Sequence, residues 1–300
     1  MVMVYVDGTS GRLPRRGLGE VAGRLLGSVP PPGLLLGGIV SVQFGAALAK
    51  GLFPLVGAAG TAGLRLVFAA AVLLAVWRPT LRLSRRQWLV VTAYGGVLGL
   101  MNLSIYEALQ RLPLGIAVTV EFLGPLAIAL AGSRRWLDAV WALLAGAGVV
   151  LLADIGGGAS LLGILFALAA AVCWASYILL GAKLGEATAG GSGLAIAMTI
   201  GAVVIAPFGV AEAGPALLDP VTLVIGAGVA LLSSVIPYSL ELEALRKIPP
   251  RLFGVLMSVE PAVAALAGVI VLHEALRPVQ WLAIMCVVAA SAGATYTARR

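Results

Sequence analysis

The sequence predicts an all-α polytopic membrane protein, with ten transmembrane helices arranged as an inverted repeat of five and five. Three observations carry that reading. The 300 residues are 61% hydrophobic and only 11% charged, with a mean hydropathy of +1.06. A soluble domain of this size needs many more charges to cover its surface. The apolar residues fall in runs close to the about 20 residues that cross about 30 Å of hydrocarbon. Charged residues and prolines recur at one fixed offset between the two halves. The runs are too long for strands and do not alternate, which argues against a β-barrel. The 39 glycines suit close helix packing in lipid.

Residues 1–32 read as a disordered cytoplasmic tail that carries Arg12, Arg15, Arg16 and Arg24 and ends in Pro30, Pro31 and Pro32. It has no apolar core of the kind a signal peptide needs. Spans are then expected at 34–53, 56–77, 88–108, 114–132 and 137–154 in a first unit, 33–154. A second unit, 155–300, holds spans at 161–182, 193–211, 221–242, 252–272 and 279–298. The loops between them leave no room for a soluble domain.

Basic residues set the orientation. With the N-terminus cytoplasmic, the inner segments hold the four tail arginines, Arg78, Arg82, Arg85, Arg86, Arg134, Arg135, Lys183, Arg246, Lys247, Arg251, Arg299 and Arg300. Only Lys50, Arg111 and Arg277 fall at the outer side, and Arg65 lies within the second span. Both termini are therefore expected inside.

The repeat is visible without gaps at an offset of 136 residues. Phe44, Gly45, Ala46, Ala47 and Leu48 fall on Leu180, Gly181, Ala182, Lys183 and Leu184. Glu107 falls on Glu243, Arg111 on Lys247, Pro113 on Pro249, Pro125 on Pro261 and Asp138 on Glu274. Five spans per unit is odd, so the two units enter the membrane in opposite directions, as in many secondary transporters.

The net charge of +7 is not a nucleic-acid signal, because the basic residues sit between apolar runs. Cys173 and Cys286 both lie inside apolar runs and read as packing residues. A single histidine, His273, cannot build a metal site, and no P-loop, zinc or nucleophile-elbow pattern occurs. No metal, cofactor or enzymatic activity is expected.

Two carboxylates stand out at depth. Glu121 lies about 10 Å from the outer end of its span and Glu260 about 13 Å from the inner end of its own. A charge there costs about 2.5–3.5 kcal/mol or more unless paired, solvated or protonated. The candidate roles are binding a substrate ammonium and exchanging a proton; the alternative is a structural pair, for instance of Glu121 with Arg65. They are not symmetry mates: at the repeat offset Glu121 falls on Met257 and Glu260 on Gly124. Arg65, at similar depth, could receive a substrate carboxylate or snorkel. Gln43, Asn102, Tyr106, Trp174, Tyr177 and Tyr238 could line a polar pocket or simply pack. Pro125, Pro237 and Pro261 remove helical hydrogen bonds, making each a static kink, a hinge or a source of freed carbonyls. Lys50, Glu107, Lys183, Glu241 and Glu243, near span ends, suit anchors or gate pairs.

Five stretches carry a family resemblance: GAALAKGLFPLVGA at 45–58, PLGIAVTVEFLGPLA at 113–127, CWASYILLG at 173–181, PYSLELEAL at 237–245 and FGVLMSVEPA at 253–262. Together they span nearly the whole chain after residue 33. The sequence resembles the EamA family of the drug/metabolite transporter superfamily and, within it, the bacterial threonine/homoserine exporter group. The resemblance implies an inverted five-plus-five repeat in the bacterial cytoplasmic membrane. It also implies export of small amino acids driven by protons or the membrane potential. Carried over by motif, the family's central cavity points to Glu121, Glu260, Trp174 and Tyr177. A homodimer is a further expectation. The same scaffold would also suit a cationic drug, an aromatic amino acid or another metabolite. A channel or an intramembrane enzyme would be a different class, and the enzyme lacks paired catalytic groups.

Overall fold

The computed structural model describes residues 29–131, 136–154, 160–188, 191–237 and 250–297, with Leu240 and Ala244. Of the expected tail, only residues 29–32 lie within the described residues. Pro31 and Pro32 belong to the first helix, where a missing N–H costs nothing.

Every regular element among the described residues is helical: α1 (Pro31–Trp77), α2 (Arg85–Arg111), α3 (Leu114–Glu121), α4 (Leu123–Ala131), α5 (Trp136–Asp154) and α6 (Leu161–Ala187). There follow α7 (Ser192–Ala213), a 3-10 turn (Gly214–Leu218), α8 (Pro220–Ala230), a π-helical turn (Leu231–Val235), α9 (Pro250–Met257), α10 (Glu260–Leu272) and α11 (Pro278–Thr297). Side chains cap several starts. Ser84 and Gln87 form a capping box on α2, Ser160 accepts from Gly163 N–H on α6, and Asp219 accepts from Val221 and Thr222 N–H on α8.

Seven of these helical stretches are long and apolar enough to cross a membrane: Pro31–Trp77, Arg85–Arg111, Leu114–Ala131, Leu161–Ala187, Ser192–Leu218, Leu252–Leu272 and Pro278–Thr297. Two shorter apolar stretches are Ala139–Leu152 and Pro220–Val235. They lie where the sequence places spans 137–154 and 221–242.

The first two expected spans both fall in α1. Its 47 residues would make a straight rod of about 70 Å, twice the hydrocarbon thickness. The rod is broken at Gly57, where φ is 68° and ψ −178°. That conformation is open to glycine and nearly closed to other residues. The chain folds back there: Gly226 of α8 faces Leu64, and Gly228, two residues further on, faces Leu48. Leu48 and Leu64 thus stand at one level on two arms, 31–56 and 58–77. Glu212, from the end of α7, accepts from Ala59 N–H at 2.7 Å and Gly60 N–H at 3.4 Å. A carboxylate so placed caps the second arm and complements its helix dipole.

Residues from α1, α2, α3, α6, α7, α8 and α10 share one apolar core. At one side α5 packs on α11, around Ala145, Ala290, Ala294 and Leu126 of α4. At the centre, α3 meets α10 backbone to backbone, since a Cβ at Gly115 would lie 2.6 Å from Ala265 Cα. Large apolar side chains such as Leu143, Leu161, Val224 and Ile270 are exposed, which suits a lipid-facing surface.

Candidate functional site

The two central helices are each interrupted midway, and prolines supply the reason. Pro125 offers no N–H to the carbonyl four residues back, that of Glu121. The helix stops at Glu121, turns at Phe122 and resumes as α4. Pro261 likewise offers nothing to the Met257 carbonyl. The chain turns through Ser258 and Val259 and resumes as α10. Each break presents an acid, Glu121 as the last residue of α3 and Glu260 as the first of α10.

Glu260 is buried, 8% exposed, in the first turn of α10, where the helix dipole favours a carboxylate. Gln43 of the first arm, 3% exposed, donates through Nε2 to Glu260 Oε1 at 3.0 Å. The carbonyl oxygen of the same amide, Gln43 Oε1, is buried and meets no donor among the described residues. Buried amide oxygens ordinarily find a partner.

Glu121 is half-buried. The Arg65 guanidinium is the positive charge it feels, and Cys173 of α6 lies within reach of its field. Next to it, the Phe122 and Trp174 rings meet edge to face at 5.6 Å and 86°. They form an aromatic wall beside the acid.

Arg65 is held by the third proline. In the π-helical turn the Ile236 N–H bonds the Leu231 carbonyl, five residues back. Pro237 has no N–H to continue either register, so the Leu232 and Ser233 carbonyls must find other donors. Ser41 Oγ donates to Leu232 O at 2.8 Å, and Arg65 Nη2 donates to Ser233 O at 3.1 Å. Arg65 Nη1 also donates to Tyr106 OH at 3.4 Å, and its Cζ lies 5.8 Å from the Tyr106 ring centre. Pro237 is thus a kink whose freed carbonyls are taken by side chains.

The remaining predicted residues divide. Asn102 Nδ2 donates to the Leu98 carbonyl of its own helix at 2.9 Å. Tyr177 stacks on Tyr94, with ring centres 4.7 Å apart, in the core. Tyr238, Glu241 and Glu243 lie outside the described residues. The structure therefore groups Gln43 with Glu260, sets Arg65 within the field of Glu121 and packs Trp174 on Phe122, while Asn102 bonds its own helix and Tyr177 meets Tyr94.

Sequence reasoning missed Ser41, Ser233 and Ser234, whose importance depends on the carbonyls that Pro237 exposes. It also missed the partner of Lys50. Lys50 Nζ bonds Glu274 Oε1 at 2.5 Å and the Leu112 carbonyl at 2.7 Å. Glu274 Oε2 accepts from Leu114 N–H at 2.8 Å. The repeat offset pairs Glu274 with Asp138, which gave no hint of a contact across the two units.

Comparison with known proteins adds to the geometry. Residues 161–296 match the EamA-like transporter family. The threonine/homoserine exporter RhtA of Escherichia coli strain K12 is 46% identical over 271 residues, covering 89% of this chain and 92% of that protein. The threonine/homoserine exporter RhtA of Salmonella typhimurium strain LT2 shows the same 46% identity over 271 residues, with the same coverage. A crystal structure of a protein 22% identical matches with a TM-score of 0.62, covering 89% of this chain and 98% of the other. That likeness speaks for the fold alone.

Proposed function

Because the chain belongs to the EamA-like transporter family, we propose that it exports small amino acids of the threonine and homoserine type across a bacterial cytoplasmic membrane. The observation that carries this reading is the 46% identity, over 89% of the chain, to transporters named for those two substrates. These relatives are transporters, not enzymes.

The proposed architecture is ten crossings in two inverted units of five, with both termini cytoplasmic. The two arms of α1 count as separate crossings, and the two shorter apolar stretches complete the set. Helix boundaries support the repeat. The ends of α3 at Glu121 and α9 at Met257 lie 136 residues apart, as do the ends of α1 at Trp77 and α7 at Ala213. Packing supports it too. The contact of α2 with α6 is matched by that of α8 with the first arm, and that of α3 with α6 by that of α9 with the first arm.

The proposed site lies at the two helix breaks. A zwitterion needs an anionic group for its ammonium and a cationic one for its carboxylate. Glu121 and Arg65 supply such a couple, beside the Phe122–Trp174 wall. Glu260 and the buried Gln43 amide supply a second polar station. Two acids in unlike surroundings allow one to carry substrate while the other exchanges a proton. Alternating access then follows from the two units rocking about the fixed breaks at Phe122 and Ser258.

Growth of an expressing strain on toxic threonine or homoserine tests the substrate class, with a panel of cationic drugs and aromatic amino acids alongside. Tolerance to threonine or homoserine supports the proposal. Tolerance confined to the panel moves the same scaffold to another substrate.

A further inference from the structure

Gln43 and Lys50 lie seven residues apart on one face of the first arm of α1, about 10 Å along its axis. Both reach across to the second unit: Gln43 to Glu260 at the start of α10, Lys50 to Glu274 just past its end. The deep contact belongs to the site. The shallow one is unused by it, and it is more heavily built.

Lys50 Nζ spans Glu274 Oε1 and the Leu112 carbonyl, and Glu274 Oε2 receives the Leu114 N–H. One ion pair thereby ties the first arm, the α2–α3 joint and the segment after α10. The Glu274 backbone is fixed as well. His273 turns in the left-handed region at φ 55°, and Glu274 N–H closes on the Gly268 carbonyl at 3.1 Å. A Cβ at Gly268 would lie 2.4 Å from Glu274 Oε2, so the glycine leaves the carboxylate its place. Behind this cluster α3 is sealed. Every residue from Leu114 to Val120 is buried, whereas the residues of α4 beyond the break are mostly half-buried or exposed. Parting α3 from α1 and α10 at this face therefore requires Lys50 and Glu274 to separate.

We propose that the Lys50–Glu274 bridge, with its two backbone bonds, is the outer gate of the transport pathway, drawn closed in this structure. The assignment rests on the proposed orientation and transport function. It accounts for a lysine and a glutamate, each largely buried, being held together with two backbone groups of the α2–α3 joint, so that three segments meet at one ion pair. A charged pair suits a gate, because its separated members can be rehydrated at the membrane face.

The test is accessibility. Ala46 lies one turn below Lys50 on the same face, and Ala46→Cys provides a thiol for a membrane-impermeant maleimide added outside intact cells. Cys173 and Cys286 are present throughout, and wild-type labelling is subtracted. Glu274→Gln or Lys50→Met is expected to raise Ala46→Cys labelling roughly tenfold or more, by shifting the population toward the open face. The exchange Lys50→Glu with Glu274→Lys is expected to restore slow labelling. Arg111→Gln, which breaks the neighbouring Glu107–Arg111 pair, is expected to leave it slow. Equal labelling with and without the bridge, or a rise confined to inside-out vesicles, overturns the proposal. Threonine and homoserine export by the wild type is measured separately. Its absence overturns the transport reading, while the labelling still decides whether the bridge closes this face.

Discussion

Gln43 Nε2 donates to Glu260 Oε1 at 3.0 Å across 217 residues of sequence, joining the first arm of α1 to the first turn of α10. A buried carboxylate that loses such a donor loses part of what offsets its desolvation. Gln43→Leu is therefore expected to lower transport by roughly tenfold or more, from about 1–3 kcal/mol of lost stabilisation, with membrane levels near wild type. Transport normalised to immunoblotted protein checks this. Unchanged transport would remove Gln43 from the site.

Gly57 holds the turn between the two arms of α1. Alanine there would adopt a glycine-only conformation costing about 1–3 kcal/mol. Its Cβ would also lie 2.0 Å from Glu212 Cδ. Gly57→Ala is expected to lower the melting temperature in detergent clearly. Glu212→Gln, which only weakens a cap, is expected to cost about 1 kcal/mol. A Gly57→Ala protein as stable as the wild type would contradict the assigned backbone.

Pro237 leaves the Leu232 and Ser233 carbonyls to Ser41 and Arg65. Pro237→Ala returns an N–H that competes for those carbonyls, so it is expected to loosen Arg65 and reduce transport. Arg65→Lys is expected to fail as a replacement. A single ammonium cannot reproduce a planar fork that reaches Ser233 O, Ser234 Oγ and Tyr106 OH at once. Transport assays on both variants decide; a fully active Arg65→Lys would show that position to need charge alone.

Gly115 lets α3 lie against α10, with a Cβ position only 2.6 Å from Ala265 Cα. Gly115→Val is expected to wedge the two interrupted helices apart and to reduce both stability and transport. Thermal melting and counterflow on the same preparation separate the two losses.

Helical class was legible because hydropathy is a local property of the chain. Pro125 and Pro261 marked both helix breaks because proline placement is local too. The pairing of partners was not legible. Gln43 and Glu260, or Lys50 and Glu274, meet only because the first arm runs beside α10, and no spacing rule links positions so far apart. Asn102 and Tyr177 carry polar groups at depth, yet one bonds its own helix and the other stacks in the core. Residue type alone does not say which partner a polar group at depth will find.

Purified protein in proteoliposomes loaded with unlabelled threonine is expected to take up labelled threonine or homoserine by counterflow. Glu121→Gln and Glu260→Gln, inserted equally well, are expected to show none. Absence of counterflow by the wild type, or wild-type rates in both variants, would contradict amino-acid transport through the two acid-bearing helix breaks.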